Sequence, residues 1–148
     1  MGRKCWVHWC SADPFHRMVV TITGDLKAGL KTIESKFEMK GFCDKCYEYF
    51  KEKIPEDEHP NRPFCTCGVT FLRDGSCIIY FPRFPYPWTL IHELEHAKDS
   101  VLETAGVKDT EGETDAYLLA DLCRYFLLSF ASDIEKHTGG DQKWITDK

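Results

Sequence analysis

Apolar residues change their spacing several times along the 148-residue chain, and each spacing predicts an element. Arg17-Met18-Val19-Val20-Thr21-Ile22-Thr23 is β-branched and closed by Gly24, so it reads as a strand. From Asp25 to Phe37, Leu26, Leu30, Ile33 and Phe37 recur at helical spacing with polar residues between them. A short second helix is expected over Phe42 to Phe50, carrying Cys43 and Cys46, before a charged, proline-bearing loop from Pro55 to Pro63. Val69 to Leu72 and Cys77 to Phe81 flank Arg73-Asp74-Gly75-Ser76, and Asp-Gly between two apolar runs predicts a hairpin. Phe84-Pro85-Tyr86-Pro87-Trp88 breaks the sheet, because proline cannot serve a central ladder. A helix follows from Thr89 to about Ala105, ended by Gly106. Thr110 and Glu113 fit a capping box that opens a long apolar helix through Phe130. The last stretch, about 138–148, reads as a flexible tail.

Composition narrows the class. A chain of this length with 43% hydrophobic residues supports one folded domain, with a cysteine-bearing insertion at about 40–68. The net charge of −5 is mild and argues against a dedicated nucleic-acid binder. It is uneven: residues 1–54 carry ten Lys/Arg against seven Asp/Glu, and residues 55–148 carry nine against seventeen. The start lacks an apolar signal core, and no run approaches a membrane span, so a cytoplasmic protein without membrane partners is expected. In that compartment eight cysteines suggest metal ligands or buried thiols more than disulfides.

Within the acidic half stands His92-Glu93-Leu94-Glu95-His96. Histidines four apart share one helix face and can reach one metal ion. Glu93, about 100° round the helix from His92, is placed to hold and deprotonate water beside that ion. A catalytic zinc needs a third protein ligand and an open fourth position. The next helix offers Glu111, Glu113 and Asp115, of which Glu111 and Asp115 share a face while Glu113 has the capping-box role. Glu111 is read as the third ligand. Asp115 is read as the partner of the free imidazole N–H of a zinc-bound histidine, His92. Glu113 is the competing ligand, and attraction to the helix N-terminal dipole is the bland reading of the whole acidic run.

His92-Glu93-x-x-His96 followed by Glu111-x-x-x-Asp115-Ala116-Tyr117 resembles the gluzincin branch of zinc metallopeptidases. The Glu-x-x-x-Asp spacing is similar to the thermolysin arrangement. The Asp-Ala-Tyr continuation resembles membrane-bound CAAX-type peptidases and the small minigluzincins. The ImmA/IrrE-like peptidases offer a second alignment, in which Asp115 falls on the ligand glutamate. The resemblance covers about residues 77–130. It implies a zincin-like α/β (α+β) domain: a small, mostly antiparallel sheet, a backing helix, the His-Glu-x-x-His helix and a glutamate-bearing helix. It also implies zinc-dependent hydrolysis of peptide or protein substrates through a metal-activated water, with Glu93 as general base. Tyr117, Tyr86 and His59 are the candidates for a second electrophile. Such families usually place uncharged residues between the glutamate and the second histidine, whereas Glu95 stands there in this chain. The alternative function is a catalytically inactive, zinc-stabilised protein-binding module on the same scaffold.

The remaining signals carry less. Cys43-x-x-Cys46 and Cys65-x-Cys67-Gly68 resemble the two knuckles of a structural Cys₄ zinc site, with buried thiols as the competing reading. Cys5-x-x-His8-x-Cys10 with His16 is a further candidate ligand set, although Trp6 and Trp9 suit a packed edge better. Leu118, Leu119, Leu122, Phe126 and Phe130 form a core stripe. Tyr125, Leu127 and Leu128 widen it, so that helix is either centrally buried or part of a homodimer face.

Overall fold

A computed structural model describes residues 4–12, 17–54, 60–73, 76–106, 113–139 and 144. In chain order these form β1 (Cys5–Ala12), β2 (Arg17–Gly24), α1 (Leu26–Lys36), α2 (Phe42–Lys53), β3 (Val69–Arg73), β4 (Ser76–Phe81), α3 (Pro87–Thr104) and α4 (Glu113–Thr138). The strands make one sheet in the order β1-β2-β4-β3. The fold is therefore α+β, with a mixed sheet: β1–β2 and β3–β4 pair antiparallel, while β2 and β4 run parallel, Val19 opposite Cys77 and Thr23 opposite Phe81. Two of the three pairings are antiparallel, in keeping with the mostly antiparallel sheet expected from the sequence, and the parallel β2–β4 pair makes the sheet mixed. The crossover through α1 and α2 makes the parallel pairing sterically feasible.

Strand alternation sorts the core into two layers. Val20, Ile22, Ile78 and Tyr80 pack with Leu30, Ile33, Phe42 and Phe50 of α1 and α2 on one face. Val19, Cys77, Ile79 and Phe81 pack with Leu90, Leu94, Val101, Leu122, Phe126 and Phe130 of α3 and α4 on the other. A strand whose two faces are both covered shows no apolar/polar alternation, and Cys77-Ile78-Ile79-Tyr80-Phe81 is the continuous run that results. Asp25 caps α1 by accepting from the Ala28 N–H at 2.8 Å. Gly29 lets α1 lie on β2, since a Cβ there would sit 2.3 Å from Ile22 Cγ2. Glu34 of α1 accepts from the Cys43 N–H at 2.8 Å, satisfying a donor at the start of α2.

Three features differ from the sequence reading. β1 is a full edge strand, its Trp6 ring 4.6 Å from Phe84 and its Trp9 ring 5.7 Å from Phe37, so its aromatic residues pack on both faces of the sheet. Helix α4 runs eight residues past Phe130, with Ile134 buried and Asp133 bonded to His8 of β1. The expected tail carries Trp144, which is buried, stacks on Phe130 at 6.0 Å and donates to the Pro85 carbonyl. Among the described residues no helix is long and apolar enough to cross a membrane.

Candidate metal centre

Helix α3 begins at Pro87, whose missing N–H and fixed φ suit a first helical position. The segment leading into it is held by Cys65, whose N–H donates to Phe84 and whose carbonyl accepts from Tyr86. At about 100° per residue, Leu90, Leu94, Ala97 and Val101 form one apolar stripe, and all four are buried. His92, Glu95, His96 and Asp99 fall on the opposite face and are exposed. Glu93 and Lys98 lie on the two borders of the stripe, and both are buried. This division places the chemistry: Glu93 turns towards β3 and Lys98 towards α4.

The two imidazoles converge, with His92 Nε2 and His96 Nε2 3.2 Å apart and the rings edge to face. Nitrogens at that distance share either a proton or a cation. A tetrahedral zinc with Zn–N bonds of about 2.0–2.1 Å holds two of its nitrogens about 3.3–3.4 Å apart, so the pair fits such an ion with almost no adjustment. Glu93 is 8% exposed, and its Oε2 accepts from Thr70 Oγ1 at 2.7 Å. Thr70 was not singled out in the sequence; a polar residue at an alternate position of the edge strand is the signal that it carries.

Glu111, the expected third ligand, lies outside the described residues, as do Thr110 of the capping box, His59 and His16. Glu113 is the first residue of α4. Among the described residues no group of three or more His, Cys, Asp and Glu side chains is gathered as a metal site. Asp115 is the third residue of α4, in its first turn, and its Oδ1 accepts from Lys98 Nζ at 2.6 Å. That bond, not a histidine contact, is where the structure commits Asp115. Lys98 also donates to Glu95 Oε1 at 2.8 Å and lies 3.0 Å from Asp99 Oδ1. Burial pulls the Lys98 pKa down, but its bonds to Asp115, Glu95 and Asp99 outweigh burial and hold the ammonium above the ordinary lysine value. Tyr86 stacks on Trp88 with ring centroids 4.5 Å apart, and Tyr117 is exposed on α4.

The four thiols read as a second zinc site are not brought together as a ligand set. Cys43 and Cys46 sit on the buried face of α2 among Phe42 and Phe50, where burial pushes the Cys43 thiol above its ordinary pKa. Cys65 is buried in the loop before β3, its thiol donating to the Cys67 carbonyl at 2.8 Å. None of the eight cysteines is in a disulfide. Of the first cysteine-histidine set, His8 is bonded to Asp133 and Cys10 packs against the α3/α4 core. Comparison with family models, with curated proteins and with solved structures gives no match.

Proposed function

We propose that this chain is a zinc-dependent metallopeptidase of zincin-like design. The carrying observation is the convergence of His92 and His96 Nε2 on one point, 3.2 Å apart, on the solvent face of a helix whose next residue towards the sheet is Glu93. His92 and His96 hold the ion, and a carboxylate at or before the start of α4 completes the set. Glu111 is the first candidate and Glu113 the second. Bound zinc supplies Lewis acidity for the scissile carbonyl and lowers the pKa of water towards about 7.

The rest of the chemistry belongs to the chain. Thr70 fixes Glu93 Oε2, so Oε1 takes the proton from the attacking water and passes it to the leaving amine. Burial keeps competing water away from that carboxylate. β3 ends the sheet beside Glu93, and an edge strand of this kind can pair by its backbone with an extended peptide, laying the scissile bond along α3.

The test has two arms. Glu93→Gln should retain zinc and lose proteolysis of an unfolded protein substrate by roughly 10²–10⁴-fold, the usual worth of a positioned general base. Unchanged proteolysis in that variant refutes the peptidase reading. Zinc bound with no proteolysis in either protein selects the inactive binding module.

A further inference from the structure

We infer that the solvent face of α4 is a homodimer interface, on which two copies of the chain lay this helix antiparallel in one defined register. Helix α4 spans 26 residues and buries Leu118, Leu122, Phe126, Phe130 and Ile134 on its inner side. Its outer side carries Tyr117, Asp121, Arg124 and Leu128, all exposed, with Tyr117 at 66% and Leu128 at 65%. Their steps of four, three and four residues are the spacing of an a/d seam in a coiled coil. In this seam two large apolar residues flank two opposite charges. Among the described residues neither Asp121 nor Arg124 makes an ion pair within its own chain. The dimer needs neither the histidines nor a metal.

The order of these four residues selects both the occupant and its direction. A second copy placed parallel, about a two-fold axis along the helices, sets Asp121 against Asp121 and Arg124 against Arg124. Like charges then face each other across the seam, which opposes that arrangement. In the antiparallel arrangement, with the axis crossing α4 midway between Leu122 and Cys123, residues equally distant from that point meet. Asp121 faces Arg124 of the second copy, and Arg124 faces its Asp121, so symmetry makes two opposite-charge pairs. The same register sets Tyr117 against Leu128 at both ends, an aromatic ring against a branched aliphatic chain. No other antiparallel register brings Asp121 to Arg124. A surface complementary to itself is what an isologous contact requires, and a second copy of this chain supplies it. The contact is one helix wide, at the small end of interface sizes, so dimerisation depends on concentration.

Sedimentation velocity over a dilution series tests the dimer, and a photo-crosslink tests its register. The wild-type chain should pass from dimer to monomer on dilution. Arg124→Asp sets carboxylates against each other at two places and should raise the dissociation constant roughly tenfold or more. The exchanged variant, Asp121→Arg with Arg124→Asp, restores both opposite-charge pairs and should return to wild-type dissociation. These side chains are exposed, so each variant should fold, and an unchanged far-ultraviolet circular dichroism spectrum checks it. For the register, Tyr117→p-benzoylphenylalanine is irradiated in a mixture of isotope-labelled and unlabelled chains. Mixed-label crosslinks should fall on the peptide that contains Leu128. A wild-type chain that stays monomeric up to about 1 mM overturns the inference. An exchanged variant as weak as Arg124→Asp, or mixed-label crosslinks that fall away from Leu128, overturns it as well.

Discussion

His92 and His96 stand four residues apart on α3 and end with their Nε2 atoms 3.2 Å from each other on the solvent side. Cys43 and Cys46 stand three apart on α2 and end in the core with Phe42 and Phe50. Both pairs have spacing that suits a shared metal, so spacing does not separate them. The helix face does. On α3 the apolar stripe of Leu90, Leu94, Ala97 and Val101 is turned away from the histidines. On α2 the thiols are themselves part of the stripe that covers β3 and β4. In this chain the histidine pair lies off the hydrophobic face of its helix and the thiol pair lies on it.

The difference can be broken at several points. On the α1/α2 side, the largest effect belongs to Tyr80, which is buried. Burial, with Asp25, Cys65 and Tyr47 nearby, pushes the Tyr80 pKa up to about 12, and its hydroxyl donates to the Gly24 carbonyl at 2.8 Å. A folded-state pKa raised above the unfolded value of about 10 stabilises the protein fully below that pH. The contribution, on the order of 2 kcal/mol, is lost as pH rises from about 10 to 12. Stability measured by denaturant melts across that window should decline, and the decline should be shallower in Tyr80→Phe.

Next in size is Cys46→Ser, which buries a hydroxyl where a thiol packs at 0% exposure. Stability should fall by about 1–3 kcal/mol with no change in zinc content. Loss of zinc without loss of stability would move Cys46 from the core to a metal site. The smallest effect concerns Thr70→Val, which removes one charge-assisted hydrogen bond from Glu93 and keeps the shape of the side chain. Proteolysis should drop about tenfold with zinc affinity unchanged, equivalent to about 1.4 kcal/mol. Equal loss of zinc and activity would show that Thr70 supports α3 rather than the carboxylate.

Much of this comparison was legible in the chain, and the limits have physical causes. The helix of His92 and His96, the helix α1 and the antiparallel pair of β3 and β4 all follow from periodicity and turn chemistry within short stretches of chain. The observed β2 differs from the expected strand only by including Gly24, and α3 begins at Pro87, two residues earlier than read. β1 escaped because its apolar residues serve both faces and its cysteines and histidine resemble ligands. The parallel pairing of β2 with β4 joins residues about sixty positions apart, and no local pattern specifies it. The same holds for the hydrogen bonds of Glu93 and Asp115. Thr70 reaches Glu93 across 23 positions and Lys98 reaches Asp115 across 17. Lys98 did leave one trace, a lysine at the border of an apolar stripe, where a charge needs a partner from a neighbouring helix. The face of α2 that buries Cys43 and Cys46 could also be read, since Phe42 and Phe50 share it.

The most direct measurement is the zinc content of the purified wild-type chain beside two double variants, His92→Ala with His96→Ala and Cys43→Ala with Cys46→Ala. One zinc per chain is expected in the wild type and in the cysteine variant, and none in the histidine variant. Zinc that persists without the histidines and leaves with the cysteines, or a wild-type chain that takes up none, would contradict a metal centre on α3.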